Sequence, residues 1–436
     1  MKPKDFLEID YFLLMATIAL SIFGILFIYS SGITSTGVLV SSEYQRQIIW
    51  AISGVIIALI LAMIDYRRLQ ELSAYLYALT LILLAYTCRF GRLVNGARSW
   101  IGIGSFGIQP SEFAKITTIL FLARYLDNAK HSKNAFTVFF VSTIIVFLPM
   151  GLVLIEPDFG TSLVFMPILL VMTFIAGVSI RYIFFLAFCI ALTVFLVMLP
   201  YWQIYIMRNA MPSSAILMDI RFMGILALAF GLIFCIALLG FLRYRKQYFY
   251  YIVYFTAIFI ISLGISFLSH RILKDYQIKR LIVFLDPNVD PRGSGWNIIQ
   301  SITAIGSGGL FGKGYLQGTQ SHYRFLPQQS TDFIFSIFSE EWGLFGGILV
   351  FALFLLICLR LVRIIRTTAD SFGANIAAGL AGMYAFHFLI NVGMTMGIMP
   401  ITGIPLHFMS YGGSSMITAM IGIGISLSIY MRRFQH

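Results

Sequence analysis

The side chain best placed to do chemistry is Asp332, in the run Arg324-Phe-Leu-Pro-Gln-Gln-Ser-Thr-Asp-Phe-Ile-Phe335. It stands where a long polar stretch gives way to an apolar one. A carboxylate at such a junction can cap the helix that follows, because it favours the positive end of the helix dipole and satisfies free backbone amides. It can equally act as a general base toward a hydroxyl at the rim of a low-dielectric site. Glu340 and Glu341 follow about two turns later, where carboxylates in an apolar run are costly unless paired or functional.

Further candidate segments number five. Asn95-Gly-Ala-Arg-Ser-Trp-Ile101 presents Arg98 and Trp100 ahead of Gln109-Pro-Ser-Glu-Phe-Ala-Lys115. Pro110 suits the first turn of a helix, and Glu112 and Lys115, three residues apart, share one helical face. They form either an internal ion pair or, with Lys115 and Arg98 facing a cavity, a seat for an anionic headgroup in which Glu112 orients the lysine. Glu156-Pro-Asp-Phe-Gly-Thr161 opens another apolar run. Asp158 either caps it or adds a carboxylate to the side that holds Asp332, and an acidic cluster there would recruit a hard divalent cation such as Mg or Mn.

Gly306-Ser-Gly-Gly-Leu-Phe-Gly-Lys-Gly314 is not a P-loop, because the spacing before Gly312-Lys313 is wrong and Gly314 replaces the Ser or Thr. Its glycines still let backbone approach a pyrophosphate, with Lys313 and Arg324 adding charge. Pro400-Ile-Thr-Gly-Ile-Pro-Leu-His-Phe-Met-Ser-Tyr-Gly-Gly-Ser-Ser415 reads as a connection that can re-enter a membrane. Irregular backbone at that depth must be buried in protein or line a cavity.

The elements that position these residues follow from hydropathy. The 436 residues are 59% hydrophobic and 11% charged, with a mean hydropathy of +0.90. Only a membrane can solvate that surface. A helix needs about 20 apolar residues to cross the hydrocarbon core, which gives about twelve spans and an all-α, polytopic fold. Their limits are near 11–31, 46–64, 71–88, 112–126, 135–155, 160–178, 181–200, 221–242, 248–269, 336–360, 374–397 and 411–431. The span at 112–126 carries charges and is expected to face protein. Cys88, Cys189, Cys235 and Cys358 are far apart, form no CxxC, and read as small packing residues.

The net charge of +12 is spread over many loops, which argues against nucleic acid as a partner. The basic residues instead set topology. With the N-terminus in the cytoplasm, the inside segments carry Lys2 and Lys4, Arg67 and Arg68, Arg124 with Lys130 and Lys133, Arg181, Arg243 with Arg245 and Lys246, Arg360 with Arg363 and Arg366, and Arg432 with Arg433. The loops at 32–45, 156–159 and 398–410 have no Lys or Arg and fall outside. Both termini are then cytoplasmic and Asp332 is extracytoplasmic. The outside segment 270–335 is too long and too apolar to be an ordinary loop or a disordered one. It is expected to fold over the outer mouth of a single membrane domain spanning 1–436.

Seven blocks in order carry a resemblance: Asn95-Gly-Ala-Arg-Ser-Trp100, Gln109-Pro-Ser-Glu-Phe-Ala-Lys115, Glu156-Pro-Asp-Phe-Gly-Thr161, Phe284-Leu-Asp-Pro287, Ala304-Ile-Gly-Ser-Gly-Gly309, Thr331-Asp-Phe-Ile-Phe335 and Ser410-Tyr-Gly-Gly-Ser-Ser415. Together they resemble the SEDS family (shape, elongation, division and sporulation), and the wording Leu326-Pro-Gln-Gln-Ser-Thr-Asp332 is closer to its rod-shape branch than to its division branch. The resemblance implies a peptidoglycan glycosyltransferase of the cytoplasmic membrane that joins lipid II units and releases undecaprenyl pyrophosphate. It also implies that Asp332 is the essential aspartate, that Trp100 matches a tryptophan of the first long outer loop, and that the partner is a class B penicillin-binding protein. The family usually has ten spans, so 201–269 reads as an insert of two, which preserves the sidedness of everything downstream. A lipid II flippase and a non-catalytic cell-wall scaffold are the rival readings.

Overall fold

The structure is a computed structural model that describes residues 9–94, 97–103, 106–130, 134–207, 217, 219–272, 280, 282–291 and 293–434. Apolar runs become helices because a chain in hydrocarbon must satisfy its own backbone. In chain order these are α1 (Tyr11–Ser31), α2 (Glu43–Met63), α3 (Arg68–Phe90), α4 (Pro110–Ala129), α5 (Ala135–Ile155), α6 (Phe159–Leu163), α7 (Phe165–Ile175) and α8 (Ile180–Tyr205). Then come α9 (Ile220–Tyr244), α10 (Gln247–Ile272), α11 (Ser294–Ser307), α12 (Thr319–His322), α13 (Ile334–Thr367), α14 (Ser371–Thr395) and α15 (Gly413–Met431).

Among the described residues ten helices, namely α1, α2, α3, α5, α8, α9, α10, α13, α14 and α15, are long and apolar enough to cross a membrane, and Phe159–Ile175 is a shorter apolar stretch. The chain is a multi-pass membrane protein. The remaining expected span is α4, which carries Glu112, Lys115 and Arg124 and is buried along most of its length. Its charges are tolerated because protein, not lipid, surrounds them.

The chain departs from an all-helical reading between α3 and α4. There β1 (Arg92–Val94), β2 (Ala97–Ile103) and β3 (Phe106–Ile108) form a three-stranded antiparallel sheet in the order β1-β2-β3. Strands this short leave no hydropathy signature, and Asn95 and Gly96 of the Asn95–Trp100 block lie outside the described residues.

By contacts the chain forms two compact units, Met1–Val178 with Asn297–His436, and Ser179–Trp296. In the first, α1 runs antiparallel to α13. Asp10 and Arg360 pair at 2.7 Å at one end, and Ser30 donates to Glu341 toward the other. An aromatic cluster of Phe23, Phe27, Phe338 and Trp342 fills the seam between them. The helix α15 lies on α2 with glycine contact: a Cβ on Gly424 would come within 2.6 Å of the Ala58 carbonyl.

The second unit holds α8, α9 and α10, around a core of Leu196, Met223 and Leu263. Ser262 donates to the Cys189 carbonyl at 3.1 Å and Tyr254 to the Arg181 carbonyl at 2.8 Å. Leu228, Ile236 and Leu239 on α9 are exposed, as lipid-facing residues are. Cys235 on α9 is exposed too, so it does not pack in the interior as the other three cysteines partly or fully do. The stretch 201–269 comprises the end of α8, all of α9 and most of α10.

Candidate active site

Helix α13 explains the Gly-rich segment. It breaks at Gly343, whose φ of 65° and ψ of −159° are non-helical, and the break frees backbone groups that need new partners. Residues 308–314 supply them: Leu344 N–H donates to Gly309 O at 2.9 Å, while Lys313 and Gly314 N–H donate to Glu340 O and Glu341 O at 3.1 and 3.0 Å. The approach is so close that a Cβ on Gly308 would collide with Ser339 O, and one on Gly312 with Glu341 O. The glycines therefore dock loop backbone onto helix backbone. Lys313 belongs to the same joint, with its Nζ 2.8 Å from Glu340 Oε1 and 2.7 Å from Thr319 Oγ1. The segment expected to approach a pyrophosphate is thus packed on α13 and carries an internal ion pair, as the buried Glu340 carboxylate needs a counter-charge.

Asp332 sits just ahead of α13, whose N-cap is Phe333. It is therefore not at the capping position. Its backbone is held from two sides, as Asn391 Nδ2 donates to Asp332 O at 3.0 Å and to Ile404 O at 2.8 Å. Ser410 donates to Thr331 O, and Tyr411 N–H to Ser330 O at 2.8 Å. The carboxylate faces Gly403, since a Cβ there would lie 3.6 Å from Asp332 Oδ2. Gly403 has a φ of +73°, a conformation that suits glycine. Segment 400–412 is irregular backbone packed in protein, with Ile404, Leu406, His407, Phe408 and Met409 all buried.

Beneath this loop is a charged core. Lys115 is fully buried, with Nζ 2.8 Å from Glu112 Oε1 and 3.1 Å from His387 Nε2. His387 Nδ1 lies 3.0 Å from Pro405 O, and its ring stacks on His407 with centroids 3.7 Å apart. His407 Nδ1 lies 3.0 Å from Ser415 Oγ. Glu112 Oε2 and His407 Nε2 are buried without a hydrogen-bond partner among the described residues. The ion pair expected of Glu112 and Lys115 is present and His387 extends it, while Asn391 on the same helix holds the Asp332 backbone. Sequence reasoning missed both of these residues, although two polar side chains four apart inside an apolar run were the available signal.

The other expected residues are placed as follows. Asp158 is the N-cap of α6, accepting from Thr161 N–H at 3.1 Å, Thr161 Oγ1 at 2.8 Å and Gln109 Nε2 at 3.0 Å. Glu156, buried at the end of α5, accepts from Thr87, and burial lifts its carboxyl from 4.5 to about 7. Arg98 is exposed on β2, and Trp100 packs on Gly107, whose Cβ would sit 2.8 Å from the indole. Arg324 is exposed, with a φ of +59°. Among the described residues no three His, Cys, Asp or Glu side chains are gathered as metal ligands. Asp332, Glu156 and Asp158 are accordingly not gathered into one such group.

The FtsW, RodA and SpoVE model, described as cell cycle protein, matches residues 11–215 and 210–435. The chain belongs to this family. It is similar to the peptidoglycan glycosyltransferase RodA of Treponema pallidum, at 49% identity over 99% of this chain and 100% of that protein. It is also similar to the peptidoglycan glycosyltransferase MrdB of Escherichia coli, at 32% identity over 98% of this chain and 95% of that one. Among solved structures it shares its fold with a chain of a peptidoglycan synthase complex that coordinates polymerization and crosslinking, at 24% identity and a TM-score of 0.69 over 98% of this chain and 99% of that chain. It likewise shares the fold of Thermus thermophilus RodA, at 23% identity and a TM-score of 0.60 over 98% of both. This FtsW/RodA/SpoVE fold is what brings Asp332, the 400–412 loop and the Lys115 core together.

Proposed function

We propose that this chain is a peptidoglycan glycosyltransferase that polymerises lipid II during cell-wall elongation, with Asp332 as general base. The observation that carries the reading is that one loop and one face of α14 hold both the backbone of Asp332, whose carboxylate is set against Gly403, and a buried ammonium, Lys115. Asp332 takes the proton from the 4-hydroxyl of an incoming lipid II. That oxygen bonds to the anomeric carbon of the growing chain, and the bond from that carbon to the phosphate oxygen breaks. Undecaprenyl pyrophosphate leaves with the electron pair. Lys115, with Arg98 and Arg324 at the exposed rim, offsets the negative charge that develops on the leaving group. Trp100 lies beside Arg98 on the same strand and offers an apolar face to the substrate.

A divalent cation such as Mg or Mn would be held in part by the pyrophosphate oxygens of the substrate, since among the described residues no three His, Cys, Asp or Glu side chains are gathered as ligands. Asp158 serves the site by capping α6, and Lys313 by closing the loop joint at Glu340. The distribution of Lys and Arg supports a cytoplasmic-membrane protein with both termini inside and the site outside. A class B penicillin-binding protein is the partner this reading requires, since the glycan strands must then be crosslinked. Stretch 201–269, with α9 and α10, is the two-helix addition to the family core.

The reading is tested by giving purified protein lipid II in detergent, alone and with the transpeptidase, and sizing the product. Glycan polymer is the expected result. Lipid movement across vesicles with no polymer under any condition would point to a flippase.

A further inference from the structure

His387 lies on α14, fully buried, between the Lys115 ammonium and the backbone of the 400–412 loop. Its two nitrogens do different work. The Pro405 carbonyl can only accept, so Nδ1 carries the proton and donates at 3.0 Å. Nε2 then bears the lone pair and accepts from Lys115 Nζ at 3.1 Å. The stack of His407, at 3.7 Å and 28°, fixes the ring plane from the loop side. An ammonium has three N–H groups, and Glu112 and His387 engage two of them.

One turn along the same face of α14, Asn391 donates to Asp332 O and Ile404 O. A single helical face thus grips the proposed cation at one turn and the backbone of the proposed base at the next. The loop is held at both turns, by Pro405 O and Ile404 O.

We infer that His387 is a positioning residue for glycosyl transfer, which by accepting one N–H of Lys115 aims the ammonium and fixes its register with Asp332. This rests on the reading that Asp332 and Lys115 act on lipid II. The plain alternative is a histidine that only fills space. The two differ in what a ring of similar bulk without an acceptor would do. His387→Phe keeps an aromatic ring of roughly similar bulk but leaves both the Lys115 N–H and the Pro405 carbonyl unpaired, whereas His387→Gln offers an oxygen that accepts from Lys115, and the Lys115→Met background isolates the part that runs through Lys115.

The experiment uses the full-length chain with its transpeptidase partner and compares wild type, His387→Phe and His387→Gln for lipid II polymerisation and for binding of undecaprenyl pyrophosphate. Each is repeated in a Lys115→Met background, and thermal unfolding checks that every variant is folded. His387→Phe is expected to lower kcat by on the order of tenfold or more, with KM changed by less than about threefold, and to weaken pyrophosphate binding on the order of tenfold. His387→Gln is expected to restore most of both, and His387→Phe to add nothing to Lys115→Met in the binding measurement. Should His387→Phe fail to fold, His387→Met takes its place. Equal losses for the Phe and Gln variants, wild-type behaviour of the Phe variant, or a loss that persists without Lys115 would each overturn the inference. Failure of the wild-type chain to make polymer or bind the pyrophosphate would instead overturn the glycosyltransferase reading.

Discussion

The side-chain amide of Asn391 donates to the main-chain carbonyl of Asp332 at 3.0 Å, and the same nitrogen donates to Ile404 O at 2.8 Å. One buried group on α14 thereby ties the start of α13 to the loop that faces the Asp332 carboxylate. Replacement by leucine keeps the approximate size and removes both donors. Each carbonyl left unpaired costs roughly 1–3 kcal/mol. Asn391→Leu should therefore lower the thermal midpoint in detergent and reduce polymerisation by more than about tenfold, since the base is no longer anchored. A variant with unchanged activity would show that the bridge does not govern the site.

Glu112 and Lys115 are a buried pair at 2.8 Å, and breaking such a pair from one side is worse than removing it. Glu112→Gln leaves the ammonium without its counter-charge and is expected to cost about 3–5 kcal/mol. Glu112→Leu combined with Lys115→Met removes both charges and should recover most of that stability, while polymer formation stays lost. Unfolding curves and product gels on the same preparations separate the two effects. A double variant that polymerised normally would exclude Lys115 from the chemistry.

Glu156 gives a pH signature. Burial raises its carboxyl from 4.5 to about 7 in the folded protein. Below 4.5 it is protonated folded or unfolded and costs nothing. As pH rises toward 7 the unfolded chain releases the proton first, so stability falls across that window by about 3 kcal/mol. Glu156→Gln carries no charge and escapes this loss, so the stability of the variant minus that of wild type should grow between pH 4.5 and 7 and then level off. A difference that does not vary with pH would mean that Glu156 is not held neutral.

Hydropathy made most helices legible, and the spacing of Glu112 and Lys115 made their ion pair legible, because both are local properties of the chain. Asp158 proved to be a cap, one of its two readings, whereas Asp332 is not at the cap position, which the sequence left open. What stayed hidden depends on residues far apart in sequence. Lys115 meets His387 across 272 positions and Ser30 meets Glu341 across 311. The glycines of 306–314 carried a true signal of close backbone approach, and the protein surface they approach is the break in α13, far off in sequence. The partner of Lys313, Glu340, was hidden for the same reason, since only that joint brings the two together. The sheet at 92–108 went unread because its strands are too short for alternation to stand out.

The central claim rests on the Asp332 carboxylate, and Asp332→Asn keeps its shape while removing its basicity. The direct measurement is lipid II polymerisation by the purified variant with its partner, alongside lipid II binding by the same sample. Binding close to that of wild type, with polymer reduced at least about a hundredfold, is the expected result. Polymer formed by Asp332→Asn at a rate near that of wild type would contradict the assignment of Asp332 as the base.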